Sequence, residues 1–109
     1  MPIYFGVANE EYIKRLQMII QHLHGCDSRH VQSVPVREEF LGETIWEGDV
    51  EVFEIVDHPR ATRCYAWGNK QSRLERGHNF IAVLGIAPID SPAHAVKVAL
   101  AADSKKHLN

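Results

Sequence analysis

The first apolar pattern along the chain has a helical period. Tyr12, Ile13, Leu16, Ile19, Ile20 and Leu23 recur at the spacing that places them on one face of an α-helix. This predicts a helix over about residues 10–24. Asn9 is a suitable N-cap, because its side-chain oxygen can accept from the free N–H groups of the first turn. Glu10 and Glu11 fall at the positive end of the helix dipole, and Gly25 can adopt the positive φ that closes a helix.

The pattern then shortens to that of strands. VQSVPVR contains Pro35, which cannot donate to a ladder, and so reads as an edge strand or an extended arm. TIWE and VEVF flank Gly48-Asp49, a pair suited to a tight turn, so a hairpin is expected over about 43–56. Asp57-His58-Pro59-Arg60 has turn chemistry. ATRCYAWG reads as a further strand, NKQSRLERG as a surface loop, and HNFIAVLGIA as a central strand with two apolar faces. A second helix opens with Ser91 as N-cap and Pro92 at the first helical position. Its Ala95, Ala99 and Ala102 let it lie close to a sheet, and Lys105, Lys106 and His107 suit its negative end. The expected architecture over residues 1–109 is a single α+β domain: helix, three to four antiparallel strands, helix. It is a two-layer sandwich with both helices on one sheet face.

These turns imply a register. A turn at 57–60 sets Glu54 opposite Arg63, Val52 opposite Tyr65 and Val50 opposite Trp67. The Gly48-Asp49 turn sets Ile45 opposite Val52 and Glu43 opposite Glu54, and the last strand sets Ile81 opposite Tyr65 and Val83 opposite Arg63. The back face then carries Trp46, Phe53, Ile55, Cys64, Ala66, Phe80, Ala82, Leu84 and Ile86, and should receive the helices. The front face carries Ile45, Val50, Val52, Tyr65, Trp67, Ile81 and Val83, together with the row Glu43–Glu54–Arg63. Left bare, such a face calls for a subunit or a ligand. Tyr65 and Trp67 would be its energetic centre, although packing alone also explains them.

Composition narrows the classes without choosing among them. With 109 residues, 45% of them hydrophobic and 24% charged, the chain is ordinary globular material with room for one core. It has no apolar run long enough for a membrane span, and its start lacks the pattern of a secretory signal. A cytoplasmic location is therefore expected, with Cys26 and Cys64 both reduced. The net charge of −2 hides a division. Residues 1–57 carry four Lys/Arg against eleven Asp/Glu, and residues 58–109 carry eight against three. The simplest account is that the halves neutralise each other across the sheet.

Three functions remain open at this level. The leading expectation is a non-enzymatic homodimeric module that binds a small ligand or a protein through Ile45, Val52, Tyr65, Trp67, Ile81 and Val83. The first alternative is a small enzyme that uses the Glu43 and Glu54 carboxylates with Arg63, and His78 at the sheet rim. A plain cross-strand ion network explains the same row. The second alternative is anion or nucleic-acid binding through Arg60, Lys70, Arg73 and Arg76. Nucleic acid is the less favoured partner, because such domains are usually basic overall. Seven histidines are present, and the segment HLHGCDSRH places His22, Cys26 and His30 close in sequence as weak metal candidates. Helix geometry points His22 and His24 about 200° apart, so no metal is expected. No dinucleotide, phosphate-loop, zinc-protease or serine-hydrolase motif is present, and no cofactor is expected.

The stretch DHPRATRCYAW resembles the HPxAxRCYAW core of a group of small bacterial proteins, a resemblance that implies no activity. Residues 50–102 are also loosely similar to the β-β-β-α half of a double-stranded RNA-binding domain. Where that family places paired lysines at the start of its second helix, this chain has Ser91-Pro92-Ala93-His94.

Overall fold

A computed structural model describes residues 10–69 and 79–108. Helix α1 spans Glu10–His24, strands β1 to β4 span Ser28–Phe40, Glu43–Ile55, Arg63–Asn69 and Asn79–Leu84, and helix α2 spans Pro92–Leu108. The strands form one antiparallel sheet in the order β1-β2-β3-β4. The chain is thus the expected α+β arrangement of helix, four antiparallel strands and helix, with the helices packed on the sheet.

Local chemistry fixes the helix ends. Gly25 has φ +71° and donates its N–H to the Gln21 carbonyl at 2.8 Å, closing α1. Ser91 Oγ accepts from the His94 N–H at 3.2 Å, so Ser91 caps α2. The turn between β2 and β3 is held by His58, whose Nδ1 accepts from the N–H groups of Arg60 and Ala61 at 3.0 and 3.1 Å.

The layering differs from expectation. The two helices take opposite faces. Leu16 and Ile20 of α1 join Cys26, Phe53, Ile55, Ala61, Cys64 and Ala66 on the back face. Ala95 and Val96 of α2 join Val36, Val50, Val52, Tyr65 and Trp67 on the front. Successive strand residues point to opposite sides, so each face of this sheet carries its own apolar set and each needs a cover. With one helix per face, there is no bare front face. Val52, Tyr65 and Trp67 are buried, and Ile81 and Val83 pack against the same cluster. These residues form core rather than the open binding face expected from the sequence.

The hairpin also differs. Gly48-Asp49 is not a turn; it lies inside β2, where Gly48 pairs with Val36 and Asp49 with Pro35. The Trp46 ring covers Gly48, and a Cβ there would sit 3.1 Å from the indole Cη2. Glycine is needed at that position for close packing rather than for a reversal. The actual turn is Leu41-Gly42, with φ +53° and +83°, between paired Phe40 and Glu43. Two consecutive positive φ values match the twist of a two-residue hairpin loop.

Because β2 runs straight through 48–49, Trp46 belongs to the front face, where it meets Trp67 edge-on at 5.7 Å. Ile45 falls at a register irregularity and is exposed. The β2–β3 register is the expected one, with Val52 opposite Tyr65 and Glu54 opposite Arg63. In the β3–β4 pair, Tyr65 faces Val83 and Trp67 faces Ile81, two residues away from the expected pairing. An even shift keeps every side chain on its face.

Candidate functional site

Two features of the described residues are not accounted for by packing alone. The first is polar and lies on the back face. Glu51 is an inward position of β2, between the buried Val50 and Val52 in sequence and directly opposite Ser33. Its side chain is 3% exposed. An ionised carboxylate at such a position requires partners. Ser33 Oγ donates to Glu51 Oε1, and His30 Nε2 lies 2.8 Å from the same oxygen. The bulge between His30 and Gln32 turns His30 onto this face, where its ring rests against Phe53 at 5.3 Å. The His30 side chain stays 29% exposed, so the imidazole joins the buried carboxylate to solvent.

Tyr12 of α1 borders this region and donates no proton readily. Burial first of all pushes its pKa up, the Gly68 N–H bonded to its oxygen at 2.8 Å opposes this, and the charges of Glu51 and Asp49 add to the rise. Chemically, the cluster is an imidazole oriented by a carboxylate, a pair able to hold or pass a proton. It is equally a pin between β1 and β2.

The second feature is the far end of the β1–β2 hairpin, here termed the arm. Phe40, Leu41 and Ile45 are 62%, 86% and 52% exposed. Exposed carboxylates of Glu39, Glu43 and Glu47 surround them, with Arg37 paired to Glu39 at 2.9 Å. Leu41 stands out twice. It exposes most of a large apolar side chain, and it adopts a left-handed φ of +53° that costs a residue with a Cβ about 1–2 kcal/mol.

The residues expected to form sites are largely kept apart. Glu43 sits at the arm turn, and Glu54 sits near the opposite end of β2. Their pairing as an acid and base is therefore corrected: it depended on the Gly48-Asp49 turn. Glu54 lies opposite Arg63 but its carboxylate bonds Arg29. His22 is exposed, Cys26 is buried with its thiol 3.4 Å from the His24 carbonyl, and His30 is committed to Glu51. The described residues contain no group of three or more His, Cys, Asp or Glu able to hold a metal. His24 reaches across to the Ala82 carbonyl at 2.9 Å and ties α1 to β4. Arg60 is exposed; Lys70, Arg73, Arg76 and His78 lie outside the described residues.

Cys26 and Cys64 are both free and buried. Burial first, then the neighbouring Cys26, pushes the Cys64 thiol up to about 12. Such a thiol is not a nucleophile at neutral pH. Among the described residues no helix is long and apolar enough to cross a membrane.

The chain matches no family model, no curated protein and no solved structure.

Proposed function

We propose that the chain is a non-enzymatic binding module that engages a protein partner through the tip of the arm. Leu41 carries this reading. Folding gains nothing from an 86%-exposed leucine held at positive φ, and the adjoining Gly42 shows that the same turn accepts residues better suited to it. Burial against a partner would recover the apolar area of Phe40, Leu41 and Ile45 together, as anchors ringed by polar groups do in protein interfaces. The surrounding carboxylates disfavour nucleic acid and anionic lipid and favour a cationic rim on the partner.

The reading is tested with a photo-crosslinking residue at position 41 in producing cells. A discrete adduct absent from the same probe at exposed Thr62 supports it. Identical patterns at the two positions reject it.

A second reading, acid–base chemistry, rests on the buried Glu51 beside the partly exposed His30. It expects His30 to react with diethyl pyrocarbonate faster than exposed His22, and Glu51→Gln to abolish the difference. Equal rates in the parent protein count against it.

A further inference from the structure

The arm has an acidic rim around an apolar tip. A polar stripe whose formal charge is the Lys14 ammonium occurs on the outward side of α1. Lys14, Gln17, Met18, Gln21 and His22 line a shallow groove of about 610 Å3 there, on the side away from buried Leu16 and Ile20. Met18 is 70% exposed, and its flexible thioether chain suits an adaptable contact. Gln17 is anchored by its amide, which donates to the Ser28 carbonyl at 2.9 Å. Lys14 and neighbouring Arg15 are exposed, none of the described lining residues is acidic, and the exposed Glu10 and Glu11 lie one turn earlier on the same helix.

Resting on the reading of the arm as a binding element, we infer that its partner is a second copy of this chain, with the arm of one copy seated in the α1 groove of the other. Both elements stand exposed in one molecule, so the arm does not fill its own groove. Phe40 and Leu41 supply the apolar contact to Met18. Glu39, Glu43 and Glu47 face Lys14 and Arg15. Each copy has one arm and one groove, so reciprocal exchange about a two-fold axis satisfies both and closes at two. Pairing through the free edge of β1 is the poorer alternative. Pro35 and the irregularity at His30/Gln32 interrupt that edge.

Sedimentation equilibrium over a range of concentrations tests the inference, with circular dichroism to confirm folding of each variant. The parent chain is expected to dimerise, and more weakly as salt rises. Lys14→Glu and Glu43→Lys should each weaken the dimer by about tenfold, because each change occurs twice in it. Combining them should return most of the loss, since the charges are then exchanged rather than opposed. Leu41→Asn should also dissociate the dimer. A parent chain monomeric at every concentration overturns the inference, and so does a dimer indifferent to Lys14→Glu. If Leu41→Asn dissociates a dimer that Lys14→Glu leaves intact, the groove is wrong and the arm reading stands. If crosslinks from position 41 reach only a different protein, the second copy is wrong and the arm reading again stands. If neither variant has an effect and position 41 gives no discrete adduct, both readings fall.

Discussion

The two ends of β2 belong to one strand and do different work. From Val50 to Ile55 every residue but Glu54 is buried, gripped between α1 on one side and α2 on the other. From Glu43 to Glu47 every residue but Trp46 is exposed, and β1 is the strand paired with this end. The buried end is specified by volume and by the need to satisfy one carboxylate. The exposed end keeps a leucine in an unfavourable backbone region and apolar groups in water. Selection for folding explains the first end and does not explain the second.

Substitutions should separate the two ends cleanly. The largest effect belongs to the buried end: Trp67→Ala, beneath Trp46 and α2, is expected to cost about 3–5 kcal/mol, read as a fall in the urea midpoint. Trp67→Phe should cost much less. The indole Nε1 is buried with no hydrogen-bond partner, and phenylalanine removes that donor along with part of the volume. Next come Glu51→Gln and Gly48→Ala. The first leaves His30 and Ser33 with a weaker acceptor and should cost about 1–3 kcal/mol. The second forces a methyl against the Trp46 ring and should cost about 1–3 kcal/mol, with altered tryptophan fluorescence. Replacing Trp46 by Leu in the Gly48→Ala background should return part of that loss; if it does not, the ring is not the obstacle.

At the exposed end the sign reverses. Leu41→Asn places at positive φ a residue that tolerates it, and at concentrations where the parent chain is monomeric it should raise the melting temperature by an amount worth up to about 1 kcal/mol. A lower melting temperature of the monomer would show that Leu41 contributes to the fold, and the contrast between the two ends would fail.

The smallest effect at neutral pH is that of Cys64. Its proton is lost at about 9 in the unfolded chain and at about 12 in the folded one. Below pH 9 both states hold the proton and stability is unaffected. Above it the unfolded state alone ionises, so stability falls as pH rises toward 12. Cys64→Ala should flatten this part of the profile, and an aromatic disulfide reagent should not label Cys64 until the protein unfolds.

Much of this fold was legible because several local signals agreed. Helical spacing, acidic first turn and Gly25 all delimit α1 at 10–24, and Ser91-Pro92 marks the start of α2. The loop at 57–60 fixed the β2–β3 register. The misleading signal was Gly48-Asp49, which satisfies the rule for a tight turn better than Leu41-Gly42 does. Only the packing of Trp46 over Gly48 distinguishes them, and that contact exists after folding. The side taken by α2 was hidden for a different reason. Ala95 and Ala99 mark the side of α2 that packs, but a helix's own pattern does not say which of two apolar sheet faces it will meet. The Glu51 cluster depends on an irregularity that shifts His30 by one position relative to the regular alternation. Strict period-two reading sends His30 to the front with Val34 and Val36, away from its partner.

The interrupted rim of β1 has a bearing on how concentrated solutions of this protein behave. A row of free amides can recruit further chains without limit, but here a proline and an extra residue break the row at two places. Association through this edge is thereby disfavoured, and fibre growth from the β1 side of the native sheet has no continuous template.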